Sequence, residues 1–168
     1  MKLTDFKLKT EKNDLDQYLT FYNYVRDNME HPEWLGTFTK DEVEMFLGLG
    51  AKLFNYYDND NEIACSFFYM PITNKSLLKH NIEHDESIVG TCGPIMVHPK
   101  YVGNGLQKQM IDVLDDYCRS INKKYCYTKI HPDNIYCINN FVNKNYKFLQ
   151  TYTSPTDGEV RNDYIKEL

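Results

Sequence analysis

Val97-His98-Pro99-Lys100-Tyr101-Val102-Gly103-Asn104-Gly105-Leu106-Gln107 carries a strand end into a helix start through two glycines. Glycine reaches positive φ without a Cβ clash and lets backbone approach a ligand closely. The first turn of the helix that follows has N–H groups with no intrahelical acceptor. Added to the positive end of the helix dipole, those donors suit a phosphate or diphosphate. Taken alone, the same turn is also compatible with a tight strand-to-helix connection that binds nothing.

The flanks narrow the choice. Upstream, Ile88 to Val97 reads as a strand, with Ile88, Val89, Ile95 and Val97 apolar and a Cys92-Gly93-Pro94 break that bends it or halts its ladder. Downstream, Leu106, Met110, Leu114, Tyr117, Cys118 and Ile121 recur at helical spacing and predict an amphipathic helix from Gly105 to Asn122. Residue 108 is Lys, so Gly-x-Gly-x-x-Gly is incomplete, and no Gly-Lys-Ser/Thr follows. Both gaps count against dinucleotide-binding and P-loop sites.

With these flanks the segment resembles the acetyl-CoA motif of the GNAT superfamily of N-acetyltransferases, Gln/Arg-x-x-Gly-x-Gly/Ala after a Val-x-Pro strand end. Val97 and Pro99 match the strand end, Gly105 matches the central glycine, and Gly103 stands where many members have the Gly of an Arg-Gly pair. Val102 replaces the usual Gln or Arg, and Gln107 replaces the final small residue. The first change removes a side chain and leaves the backbone donors in place.

A second block extends the resemblance. Tyr125 to Ile130 is strand-like, and His131-Pro132-Asp133-Asn134 leads into a helix carrying Ile135, Ile138, Phe141 and Val142. Asp133 or Asn134 can cap that helix. Asn145-Tyr146 stands where the family usually has Gly-Phe, and Asn is the residue after glycine that best tolerates a left-handed helix end. The chain end, Gly158 to Leu168, resembles the family's final strand, in which Arg161 is either a surface charge or a substrate contact.

The remainder fits the same layout. Phe6 and Leu8 alternate with polar residues, and Leu15, Tyr18, Leu19, Tyr22, Val25 and Met29 form a helical stripe. Thr39-x-x-Glu42 is a capping box ahead of Val43, Phe46 and Leu47. Leu53 to Tyr57 and Glu62 to Met70 flank the turn-rich Asp58-Asn59-Asp60-Asn61 and predict a hairpin. Asn74 to Ser87 is the most loop-like stretch, long enough to be a substrate loop. Tyr22, Tyr24, Trp34 and Phe38 form an aromatic group that either packs the core or shapes an acceptor pocket.

Composition bounds the class. A chain of 168 residues buries about 70% of its unfolded surface, enough for one core, so a single domain over residues 1–168 is expected. The net charge of −5 carries no nucleic-acid footprint. Cys65, Cys92, Cys118, Cys126 and Cys137 lack Cys-x-x-Cys spacing and read as reduced thiols of a cytoplasmic protein. No apolar run is long enough to span a membrane and no signal-peptide pattern opens the chain. His80 and His84 have no clear third ligand, so no metal site is expected.

The family resemblance implies an α/β fold: a mostly antiparallel twisted sheet of six to seven strands flanked by about four helices. It implies direct transfer of acetyl from acetyl-CoA, as cosubstrate, to a primary amine of a small molecule or peptide, by a monomer or homodimer. The N–H groups of Ile95, Met96 and Val97 would face the acetyl and pantetheine. Those of Gly103, Asn104, Gly105, Leu106 and Gln107 would face the diphosphate, and Asn134 would add a contact to the pantetheine arm. The family's usual thiolate acid, a Tyr seven residues after the helix-opening Asn, corresponds to Phe141, which has no proton to donate; Tyr136 on the same helix is the substitute candidate. Glu86, His98 and His131 are candidate bases, with a water chain as the alternative. Two other functions stay open: a module of the same fold that binds CoA or a metabolite with little turnover, and an unrelated nucleotide binder using the same glycine turn.

Overall fold

In the computed structural model, which describes residues 1–11, 15–58, 61–155 and 157–168, seven strands form one sheet in the order β1-β2-β3-β4-β5-β7-β6. The strands are β1 (Lys7–Lys9), β2 (Lys52–Tyr57), β3 (Ile63–Pro71), β4 (Val89–Val97), β5 (Tyr125–Ile130), β6 (Lys147–Thr153) and β7 (Val160–Glu167). Five helices accompany them: α1 (Leu15–Asp27), α2 (Lys40–Gly48), α3 (Asn74–Lys79), α4 (Leu106–Ser120) and α5 (Ile135–Val142). Pairing is antiparallel for β1–β2, β2–β3, β5–β7 and β6–β7, and parallel for β4–β5. This is the mixed, mostly antiparallel α/β architecture expected from the sequence. No described helix is long and apolar enough to cross a membrane.

The chain divides into two compact units, residues 1–70 with 93–110, and residues 71–92 with 111–168. In the first, the α1 stripe of Leu15, Tyr18, Phe21, Tyr22 and Val25 is buried with Val43, Leu53, Phe68 and Met96. The capping box forms as the sequence predicts: Thr39 Oγ1 accepts from the Glu42 N–H at 3.2 Å, and Glu42 Oε2 accepts from the Thr39 N–H at 2.8 Å. Part of the tetrad between β2 and β3, Asn59 and Asp60, lies outside the described residues. Tyr22 donates from its hydroxyl to the Gly36 carbonyl, and Phe38 meets Phe46 edge-on, so these two aromatics pack the interior.

In the second unit, Leu77, Ile82, Val89 and Tyr127 form a small core of their own. Leu77 is the reason the Asn74–Ser87 stretch, expected to be a loop, instead contains helix α3 and a 3-10 turn at Glu86–Ile88. Thr73 caps α3 by accepting from the Ser76 N–H at 3.2 Å, and Leu77 anchors its single buried side. Glu86 closes the segment, accepting from the Asn74 N–H at 2.6 Å while its own N–H donates to Asn74 Oδ1 at 2.9 Å.

Candidate functional site

Strand β4 pairs with β5 from Val89 to Thr91, and that ladder ends where Cys92-Gly93-Pro94 begins. Gly93 answers a packing demand, because a Cβ there would lie 3.2–3.3 Å from Phe68 atoms, tighter than ordinary van der Waals contact. Beyond the break, Met96 is buried in the first core while Ile95 and Val97 are half-buried.

The turn after β4 is built in three steps. His98 Nδ1 accepts from the Lys100 N–H at 3.1 Å and caps a 3-10 turn at Pro99–Tyr101. Tyr101 then pins that turn, donating to Asp58 Oδ2 at 2.9 Å and meeting Phe6 edge-on with centroids 5.3 Å apart. Finally Gly103 and Gly105 take φ of +88° and +70°, and α4 starts at Leu106. A Cβ at either glycine would meet nothing within 4 Å, so the left-handed backbone, rather than crowding, is what requires glycine there.

This geometry leaves a run of donors. Among the described residues, no acceptor is found for the backbone N–H groups of Gly103, Asn104, Gly105 and Leu106, and Gln109 is the first to donate back to this loop, to the Gly105 carbonyl. The segment from Val102 to Gly105 is exposed, with Asn104 Nδ2 donating to the Tyr101 carbonyl at 3.0 Å as a brace. Four consecutive amides at the mouth of a 15-residue helix form a place for an anion.

In the second unit, Asn134 Oδ1 accepts from the Cys137 N–H at 3.1 Å and caps α5. Tyr136, the second residue of α5, is 80% exposed, whereas Phe141 is 1% exposed and packs edge-on against Tyr146 at 4.9 Å. Asn145 adopts φ of +66°, the left-handed helix end that its sequence position predicts. Burial pushes the Tyr146 phenol far above its ordinary range, and it donates to buried Asp115, which also pairs with Lys166.

The three candidate bases hold local structural contacts. Glu86 is occupied with Asn74; His98 caps its turn with its ring stacked on Tyr24 at 5.0 Å; His131 Nδ1 accepts from the Asp133 N–H at 3.2 Å. Arg161 is largely buried and pairs with the partly exposed Glu159 at 2.5 Å. No disulfide joins any of the five cysteines. Among the described residues no cluster of His, Cys, Asp or Glu could hold a metal ion.

Sequence reasoning missed a group in the second unit: Asp163, fully buried, takes three hydrogen bonds. His80 Nδ1 reaches its Oδ2 at 2.7 Å, Gln150 Nε2 the same oxygen at 3.1 Å, and the Tyr127 hydroxyl its Oδ1 at 2.8 Å. β7 carries four charged residues, Arg161, Asp163, Lys166 and Glu167, so its sequence does not mark Asp163 as the fully buried one, although a buried carboxylate demands partners. Nothing local names a partner 83 positions away.

Similarity to known proteins enters through structure alone, because no sequence profile of a protein family and no curated protein sequence matches the chain. An N-acetyltransferase from Staphylococcus aureus Mu50 superposes with a TM-score of 0.71 at 15% identity, over 96% of this chain and 97% of that one. An acetyltransferase of the GNAT family from Streptococcus pneumoniae gives 0.71 at 12% identity, covering 97% and 99%. A chain of the NatC complex bound to Gag peptide and CoA gives 0.73 at 11% identity, covering 98% and 99%. The protein therefore has the fold of the GNAT acetyltransferases along nearly its whole length.

Proposed function

We propose that this protein is a single-domain N-acetyltransferase that moves acetyl from acetyl-CoA directly to a primary amine of a small molecule or peptide. The observation that carries it is the run of unpartnered amides from Gly103 to Leu106 at the opening of α4. Together with the Gln107 N–H they are assigned the diphosphate of CoA, whose two negative charges match the donors and the helix dipole. Val102, exposed beside them, contributes no charge, so the grip is a backbone one.

The cosubstrate supplies an activated acetyl thioester. Backbone N–H groups of Ile95, Met96 and Val97 are assigned to the acetyl and pantetheine, where a donor polarises the carbonyl and stabilises the oxygen charge that develops on amine attack. Asn134 is assigned to the pantetheine arm and Tyr136 to returning a proton to the departing thiolate. The exposure of Tyr136 leaves its hydroxyl accessible, and the burial of Phe141 removes the family's usual donor position from that task.

That substitution at residue 141 favours a second reading, a CoA-binding module with little turnover. Two measurements separate the possibilities. Isothermal titration with acetyl-CoA and, separately, with ATP is expected to show binding of the former only; selective binding of ATP would overturn both CoA readings. A thiol-release assay over a panel of amines is expected to show turnover, and CoA binding without release would favour the module.

A further inference from the structure

Arg26 differs from Arg119 and Arg161, the other arginines of the chain. Arg119 pairs with Asp116 at 2.9 Å and Arg161 with Glu159 at 2.5 Å, whereas the Arg26 guanidinium has no hydrogen bond or ion pair among the described residues. It stands half-buried in the last turn of α1, and its Nε is sealed from solvent without an acceptor. Its Nη nitrogens are equally unpartnered but are not sealed, so they open to solvent. Two roles that need no ligand leave this unexplained. A cation near a helix C-terminus gains from the dipole with its head group in water, and a long side chain that covers apolar surface also keeps its head group wet. Sealing a guanidinium nitrogen away from every acceptor costs stability instead. What it does achieve is to fix the guanidinium plane and hold the Nη pair as a preorganised fork.

The surroundings limit what the fork can take. Tyr22, one turn earlier on the same face of α1, donates its hydroxyl to the Gly36 carbonyl and ties the segment ahead of α2 to α1. Burial pushes the Tyr22 phenol up; the Arg26 charge opposes that rise and the Glu42 charge adds to it, so both charges act at one hydroxyl. Glu42 nevertheless stays off Arg26, its Oε2 accepting from the Thr39 N–H at 2.8 Å in the α2 cap. A planar monoanion matches the two Nη donors and cancels one charge, while a dianion would bring a second negative charge toward Glu42. A carboxylate is the ligand chemistry that fits. Arg26 also lies in the compact unit that contains residues 95–97. Tyr22 shares a buried core with Met96, and the Phe21 and Tyr24 rings stack on His98 with centroids 6.4 Å and 5.0 Å away, so α1 lies against the end of β4.

We propose that the Arg26 fork binds a carboxylate of the acceptor, so that the amine this protein acetylates is an amino carboxylate. This rests on the acetyl-transfer function proposed above and names the acceptor class that function leaves open. Arg26 is then a specificity-determining residue, which holds the acceptor by its anionic end while the amine is left free to attack.

The test offers ω-amino carboxylates, from glycine to aminohexanoate, and their carboxamides as acceptors to the wild-type protein and to Arg26→Gln. For at least one chain length the wild type is expected to prefer the carboxylate by about 10–100-fold in kcat/KM, the contribution of a hydrogen bond to a charged group. Arg26→Gln should bring that ratio to within about twofold of unity. Equal use of both acceptors by the wild type, or a preference that survives in the variant, would overturn the proposal and leave acetyl transfer standing. Acetyl-CoA binding without transfer to any member of the series would overturn the amino carboxylate acceptor, whereas failure to bind acetyl-CoA at all would overturn the acetyl-transfer function itself. Independently of turnover, the ¹⁵N resonance of wild-type Arg26 Nε is expected to shift on saturation with the carboxylates and to stay in place with the carboxamides. A resonance unmoved by every carboxylate of the series would overturn the proposal even if Arg26→Gln does not fold.

Discussion

Replacing Gly105 with alanine isolates the backbone grip from everything else in the molecule. At φ of +70° an L-residue meets a penalty of about 1–2 kcal/mol. The unfolded chain loses freedom at the same time, offsetting about 0.4–1 kcal/mol. No atom lies within 4 Å of the new methyl, so nothing further opposes folding. The net effect is about 0–1.6 kcal/mol, which for a chain of this size, at about 2–4 °C per kcal/mol, lowers Tm by about 6 °C at most. Binding should suffer far more. A methyl projecting into the open space over the loop, or a backbone that rotates to relieve strain, removes at least one donor from the diphosphate. A hydrogen bond to a charged group contributes about 1.5–3 kcal/mol, so Kd for CoA should weaken by about 10–100-fold. Calorimetric titration with CoA checks this beside a thermal melt, and adenosine 3′,5′-bisphosphate, which lacks the diphosphate linkage, should lose little affinity. A CoA Kd within about twofold of wild type, with the small Tm change present, would refute the assignment of these amides.

Two further outcomes are expected. Phe141→Tyr inserts a hydroxyl into a sealed site against the Tyr146 ring and should destabilise the fold by about 1–3 kcal/mol in urea unfolding; unchanged stability would show that the hydroxyl finds a partner there. Burial pushes the Cys65 thiol and the Tyr56 phenol up to about 12 each. Their folded forms hold the proton more tightly than the unfolded chain does, so this stability is full below the thiol's ordinary 9.0 and is lost as pH rises toward 12. Unfolding free energy should fall by about 1.4 kcal/mol per pH unit from 9.0 upward for the thiol and from 10.0 upward for the phenol, and a flat profile from pH 9 to 10.5 would refute it.

Helix α4 and strand β5 were legible because their patterns are long and unbroken: Leu106, Met110, Leu114 and Cys118 all turn out buried, and the Tyr125–Ile130 strand keeps its predicted bounds. The helix ended two residues early, at Ser120, with Asn122 taking φ of +61° just beyond it. Helix α3 was not legible, because six residues with one buried leucine are too few for a period to emerge from a polar stretch. The glycine turn could be read locally, since both its φ values and its free amides follow from neighbours in sequence. The His80–Asp163 contact could not, because it joins residues whose proximity exists only after β5, β6 and β7 have paired.

The division of the chain has a consequence for its synthesis. Passing between units after residues 70, 92 and 110, the polypeptide offers no single cut that releases either unit whole. The N-terminal 70 residues cannot complete their own core as they leave the ribosome, since Met96 belongs to it, and must wait for a stretch made after part of the other unit has already emerged. Truncations at domain-like boundaries should therefore give aggregating fragments, and a split version of this protein would have to be assembled from pieces that are each incomplete.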